Sequence, residues 1–576
     1  MKHKFLDIIV TLSMLSACFI ACDVDPEFHS QVVPATFYSN EQSVYQRFYR
    51  PFAYWGNFQT NNADWLLQEL GTDEYIVPTR GSDGYNGGEY LRIFNHEYSD
   101  DMSFIASGWN DTQMGVALSW DAIEDLNNVN FEALGLQNSD RDRMLNQLNV
   151  LVAYFYLKGL DFFGGMPLYT TTQSEVKGRS TDVETFNFID SLLTNALPSL
   201  ESKNELGAAE TGYIHSAVAA SLKAELYFNA HSYIGRDMWS ECAAICQDII
   251  DGRYGQYALA SDWTDIFGFS NETCPEIIWS APSENAKNEI DGGHWQFQQP
   301  YNLSSYLGGL ESREAWNGGG LTPSRDPEGN LYQYKLNGPY EKFNDQDIRK
   351  HVYTYYGGGR YSGMFIVGRL VNPLDSNWAC RGIREYAGQI ITVVDQMAHF
   401  NRVRNPNYVN EDGSFMYNSV ADLPSNLLTG EENSCVRVLK VSPVPTEADV
   451  SLMYNPDIPV IRLSEIYYML AECEMRMGNN SRAAELINTV RRRYFENGQD
   501  PDPVTATNLD KYRMLDEWLQ EFLVEGRRRT DLIRWDAYVT EDWWAHKATN
   551  NEKYNRFPLH YSVLNANGLL EQNPGY

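Results

Sequence analysis

The 576-residue chain is short of cations: 45 Lys and Arg stand against 77 Asp and Glu, a net charge of −32. That balance excludes nucleic acid and anionic lipid as natural partners, because both would be repelled. Paired cysteines are also missing. Beyond residue 22 the cysteines are Cys242, Cys246, Cys274, Cys380, Cys435 and Cys473, with no C-x-x-C motif among them, so no zinc site is expected. Cys242 and Cys246 stand one helical turn apart and read as buried free thiols. Past the first two dozen residues no run reaches the ~18 apolar residues of a spanning helix.

Motifs of catalysis are equally scarce. The chain contains no GxxxxGK[ST] phosphate loop, no HExxH helix and no GxSxG elbow. His96 and Glu97 in FNHEYSDD have no second histidine at the needed spacing. The glycine clusters at 87–88, 318–320 and 357–359 do not form GxGxxG and read as turns. Carboxylates are plentiful, but abundance does not place two of them at glycosidase separation. No catalytic residue, metal ligand or cofactor is therefore expected, with a surface glycoside hydrolase as the enzyme alternative. The four arginines of VEGRRRTDLIRW (524–535) read as partners of Glu521, Glu525, Asp531 or more distant acids rather than as a phosphate site.

What the chain does have begins at its amino terminus. MKHK is followed by an apolar run, FLDIIVTLSMLSACFIA, and then by acidic DVDP. This is the plan of a secretory signal, and cysteine at the junction is what a bacterial lipoprotein signal requires. Leu15-Ser16-Ala17-Cys18 fits the lipobox best by residue type. Phe19-Ile20-Ala21-Cys22 sits at the true apolar-to-acidic boundary, so Cys22 is preferred and Cys18 is the alternative. Residues 1–21 are then a signal peptide, and several acyl chains would give durable membrane attachment.

Helical periodicity fills much of the remainder. Residues 212–233 place Ala219, Leu222, Leu226 and Ala230 on one face. Residues 239–252, 458–478, 479–495 and 511–535 also read as helices, with Gly252 and Gly478 as C-terminal caps, and a further pair is expected within 142–200. Small alanines in paired helices suggest degenerate tetratricopeptide-like units, which must stack on neighbours to bury their faces. Periodicity alone leaves an irregular helical domain equally open. Two long stretches, 55–115 and 280–450, read as irregular. Aromatic residues are the unusual excess, with 14 Trp, 37 Tyr and 26 Phe making 13% of the chain. Most such residues serve a core, but Tyr and Trp in Gly- and Asn-rich loops offer flat faces for stacking on sugars.

Several segments, taken in order, resemble the SusD/RagB family of outer-membrane nutrient-binding lipoproteins. They are the cysteine before Asp23-Val24-Asp25-Pro26, Phe37-Tyr38, AYFYLKGLDFFGGMPL (153–168), SAVAASLKAELYFNA (216–230), WNGGGLTPS (316–324) with FNDQDIRK (343–350), IPVIRLSEIYYMLAECEMRMG, LINTVRRR (486–493), EFLVEGRRRTDLIRW and terminal EQNPGY. The resemblance implies a mainly α fold of about four tetratricopeptide-like helix pairs packed against a loop-rich part with little β. It implies a single body over 22–576, divided near 235, with a variable region at about 280–450. It also implies capture of an oligosaccharide, or in some branches a peptide, without catalysis, and delivery to a SusC-like TonB-dependent transporter. Within the loop regions that the resemblance marks, the expected stacking residues are Tyr85, Trp109, Trp295, Tyr306, Trp316 and Trp378. Asp73, Asp83 and Asn317 are their expected polar partners.

Overall fold

The computed structural model describes residues 37–59, 62–80, 84–172, 174–206, 212–284, 299–301, 303–309, 315–397, 427–428, 430–442 and 455–576. Cys18, Cys22, Asp83 and Trp295 lie outside the described residues.

Helices carry the architecture. The N-terminal part contributes α1 (Glu41–Gln59), α2 (Asn62–Glu69), α3 (Glu89–Phe94), α4 (Ser103–Asn128), α5 (Asn138–Phe163), α6 (Asp182–Ala196), α7 (Ser216–Phe228), α8 (Ala230–Ile234) and α9 (Trp239–Ile250). The C-terminal part contributes α10 (Leu463–Arg476), α11 (Asn480–Arg491), α12 (Lys511–Phe522), α13 (Arg528–Arg534) and α14 (Tyr561–Ala566). α4 packs on α5, α5 on α6, α6 on α7, α7 on α9, α9 on α10 and α10 on α11, a continuous helical stack. Small residues permit the close approaches: a Cβ on Gly115 of α4 would come within 2.3 Å of the Phe155 ring on α5, and Ala217, Ala219, Ala220 and Ala224 of α7 are all buried. Thr181 and Glu184 form a reciprocal capping box at the start of α6. Gly252 and Gly478 adopt positive φ after α9 and α10, as their reading as caps requires. Cys242 and Cys246 are buried free thiols, their sulfurs 3.9 Å apart.

Three sequence expectations change. Residues 458–462 form strand β10 and not the first turn of a helix. Residues 511–535 are two helices, broken at Leu523–Arg527. Much of 55–115 is helical, belonging to α1–α4, with irregular chain only between those helices. Across 280–450 the described residues do carry little regular structure. The strands are β1 (Tyr75–Ile76), β2 (Ile277–Ala281), β3 (Gly320–Leu321), β4 (Thr354–Gly357), β5 (Arg360–Ser362), β6 (Phe365–Ile366), β7 (Gly368–Arg369), β8 (Thr392–Val393), β9 (Arg437–Val438) and β10 (Ile458–Arg462). They pair antiparallel in twos: β1 with β3, β2 with β10, β4 with β5, β6 with β9 and β7 with β8. No helix among the described residues is long and apolar enough to cross a membrane.

Buried ion pairs fasten the loop-rich part to the helices. The Glu521 carboxylate on α12 accepts from Arg462 at 2.6 Å, Arg493 at 2.9 Å, Arg349 at 3.4 Å and the Tyr494 hydroxyl at 2.8 Å. The arginines near 527–534 are likewise spent on acids: Arg527 on Asp531 and Glu465, Arg528 on Asp73, Arg529 on Asp161, and Arg534 on Glu472 and Asp531.

Candidate functional site

The β1–β3 pairing brings the segment after Tyr75 against the Trp316–Gly320 segment, and two buried arginines lock them together. Arg80 donates to the carbonyls of Asn317 (2.9 Å), Gly318 (2.8 Å), Glu431 (3.0 Å) and Ser434 (3.2 Å). Arg437 of β9 donates to the Asn317 side-chain oxygen (3.0 Å) and to the Gly319 carbonyl. The oxygens that accept from both guanidinium groups are uncharged, and the Glu385 carboxylate acts on Arg80 only through its field. Burial lowers the pKa of both, and in Arg437 burial and the neighbouring Arg80 push it down to about 9. The work of this pair is to tie carbonyls of two loops, 317–319 and 431–434, into one pedestal.

Gly319 and Gly320, in the 318–320 cluster read from sequence as a turn, serve close packing instead. A Cβ on Gly319 would overlap the Tyr75 hydroxyl at 1.8 Å, and one on Gly320 would lie 2.5 Å from Arg437. Clusters 87–88 and 357–359 are turns, with φ between +62° and +85°. Three non-glycine residues near the pedestal hold left-handed backbone: Asn86 (φ 40°), Asn317 (φ 49°) and Cys435 (φ 72°). Such conformations persist only where surroundings over-determine them, and they gather at ligand-contacting loops.

Two large aromatics stand on this pedestal. Trp316, one residue before Asn317, is 38% exposed, and Tyr85, five residues after Arg80, is 54% exposed. Beside them, the half-buried Arg384 donates to the Arg80 carbonyl at 2.5 Å and lies 5.7 Å from the ring centre of Tyr301. Tyr301 bridges to a second group. Its carbonyl accepts from Cys380, two residues past Trp378, and Trp378 packs over the backbone of Gly308, two residues past Tyr306.

The structure thus places Tyr306 beside Trp378 and leaves Tyr85 and Trp316 exposed, but it gives several expected contact residues another task. Asp73 is fully buried, both oxygens engaged by Arg528 at 2.7 and 2.8 Å. Tyr306 is fully buried, its hydroxyl donating to the Tyr353 carbonyl at 2.9 Å. Asn317 is buried, its side-chain oxygen held by Arg437. For Asp73 and Tyr306 the expected role as ligand contacts gives way to a framework role, because a buried polar group spent on a protein partner has nothing left for a ligand. Asn317 keeps a buried Nδ2 with no partner among the described residues. Trp109 lies apart from both groups on α4, its ring edge-on to Phe163 at 5.3 Å. His96 is buried, its Nε2 2.8 Å from the Gly71 carbonyl. Sequence reasoning missed Arg80, Arg437 and Arg384. The signal for the first was modest: one arginine between Pro78 and a glycine-rich stretch in an acidic chain.

A cavity of about 630 Å³ lies elsewhere, walled by Phe48, Tyr49, Phe52 and Trp55 of α1 with Tyr213 and Asp457.

The profile of the SusD family matches residues 275–576. The chain is 22% identical over 476 residues to the starch-binding protein SusD of Bacteroides thetaiotaomicron, covering 78% of this chain and 77% of that protein. Among solved structures, a SusD superfamily protein from Parabacteroides distasonis superposes with a TM-score of 0.64 at 16% identity, covering 93% of this chain and 99% of that one. Surface glycan-binding protein A from Bacteroides fluxus superposes with a TM-score of 0.61 at 18% identity, covering 93% and 100%. With the profile matched over more than half its length, the chain belongs to the SusD family.

Proposed function

We propose that this protein captures a neutral oligosaccharide at the cell surface without cleaving it, through the face that carries Trp316 and Tyr85. The observation that carries the reading is the display of two exposed aromatic planes on loops fixed by Arg80 and Arg437. A stacked ring gains about 0.5–1.5 kcal/mol beyond area burial by analogy with aromatic pairs. Gains that small beat the cost of immobilisation only when the surfaces are held in place beforehand, and the pedestal does this. Arg384, beside Tyr301, supplies a guanidinium fork for sugar hydroxyls.

Relatives named for binding starch or surface glycan support the ligand class, and the charge of −32 disfavours polyanionic glycans. Membership of the family supports the wider setting. Acyl chains on Cys22, or Cys18, hold the protein at the outer membrane, and a SusC-like TonB-dependent transporter receives the ligand.

Calorimetric titration with a panel of neutral oligosaccharides tests the site. Tyr85→Ala and Trp316→Ala are each expected to weaken binding about tenfold, and the double variant to lose binding at this face. Unchanged affinity in the double variant, or displacement of the sugar by a peptide mixture at lower concentration, would reject this face as a glycan site.

A further inference from the structure

A groove of about 340 Å³ crosses the surface between α4, the segment after α5, and α14. We propose that it is a second contact for neutral saccharide, an inference that rests on the glycan reading above. Trp109, Asn110 and Gln113 of α4 form one wall, Tyr169 closes an end, and Ala566 and Asn567 form the other wall. The groove shares no residue with the Trp316 pedestal. Its volume falls within the usual range of small-ligand sites, about 300–1,000 Å³.

The lining selects the ligand class. No charged side chain lines the groove, and the Lys177 ammonium, 5.6 Å from the Tyr169 ring centre, is held by the Leu168 carbonyl at 2.7 Å. The Tyr169 ring and the small uncovered part of the Trp109 indole provide apolar surface, while the Asn110 and Gln113 amides provide hydrogen bonds. That combination suits a ring with CH faces and hydroxyl edges, and a purely apolar ligand would strand the amides. One donor is already stranded: the Gln113 Nε2 is buried and finds no acceptor among the described residues, a state that costs free energy unless something fills it.

The walls are set before any ligand arrives. Phe163 supports the Trp109 ring from behind. The Tyr169 amide donates to the Tyr156 hydroxyl at 2.9 Å, and its own hydroxyl accepts from the Lys177 amide at 3.2 Å. Asn567 spans the Lys177 carbonyl at 2.8 Å and the Leu569 amide at 3.0 Å.

The test is calorimetric titration of the whole chain with neutral gluco-, manno-, galacto- and xylo-oligosaccharides, with folding of each variant checked by thermal melting. The Tyr85→Ala/Trp316→Ala double variant is expected to retain a weaker site for the same sugars. Adding Ala566→Arg, which fills the groove from an exposed position, is expected to remove that residual binding. Gln113→Ala is expected to weaken it about threefold to tenfold. If Ala566→Arg does not fold, Asn110→Arg on the exposed side of α4 blocks the same space. Binding by wild type with no residual site in the double variant, and no effect of groove variants on wild type, overturns the second contact and leaves the pedestal intact. No binding of any member by wild type removes both.

Discussion

A buried arginine ordinarily faces a carboxylate, but Arg80 and Arg437 face carbonyls, and the positions around them are correspondingly intolerant. At Gly319 the Tyr75 hydroxyl occupies the space of a Cβ. Gly319→Ala must therefore push the Trp316 loop off its pedestal. The expected result is an overpacking loss of about 1–3 kcal/mol in chemical denaturation, with weaker sugar binding in the fraction that folds. A neutral result on both would show that the loop is not fixed as described. Asp395 offers a second test at the same scale. Burial pushes its carboxyl up to about 7, against the hydrogen bond it accepts from the Ser324 amide at 3.0 Å. A carboxyl raised in the fold binds its proton more tightly there than in the unfolded chain. Its contribution is thus fully present below about 4 and lost as pH rises through about 7. Asp395→Asn keeps the acceptor for Ser324 and removes the ionisation. Its melting temperature is expected to exceed wild type above about pH 8 and to match it near pH 4–5. The reverse order would place the charge of Asp395 among the stabilising groups.

At the scale of elements, what could be read from sequence and what could not divide along a clear line. α7 announced itself by apolar spacing and α9 by its terminal glycine, signals contained in the segment itself. β10 did not. Ile458-Pro459-Val460-Ile461 is a short apolar run whose periodicity does not distinguish strand from helix, and its pairing with Ile277–Ala281 lies far away in sequence. The break between α12 and α13 is tertiary as well. Glu69 accepts from the Gly526 and Arg527 amides at 2.6 and 3.0 Å, Glu74 accepts from the Val524 amide, and Trp65 donates to the Val524 carbonyl at 2.9 Å. These contacts hold Val524 at φ +58°, a conformation that no β-branched residue advertises. The same limit explains the site: Trp316 and Tyr85 stood out by their glycine neighbours, whereas the burial of Asp73, Tyr306 and Asn317 depended on partners remote in sequence. α12 also carries the strongest interlock. Burial alone would raise the Glu521 carboxyl, and Arg462, Arg493 and Arg349 together more than reverse it, holding it well below the usual range. Glu521→Gln leaves three buried guanidinium groups short of their shared counter-charge. A loss of about 3–5 kcal/mol in urea denaturation is expected, and a loss below about 1 kcal/mol would show that the arginines re-pair elsewhere. Because this carboxyl is depressed in the fold, its contribution is present above about 4.5 and disappears as pH falls further.

For the whole molecule, one division of labour follows. Stacked helices from α4 to α11 supply a rigid body, ion pairs centred on Glu521 bind the loop-rich part to it, and that part holds exposed aromatics at fixed positions. The acidic surface keeps such a body soluble and away from other anions. The measurement that bears most directly on this account is equilibrium binding of a neutral oligosaccharide to wild type and to Trp316→Ala, with mass spectrometry of the recovered ligand. Saturable binding that Trp316→Ala weakens about tenfold, with the ligand returned at its original length, is the predicted result. Shortened ligand, or equal affinity in both proteins, would contradict it.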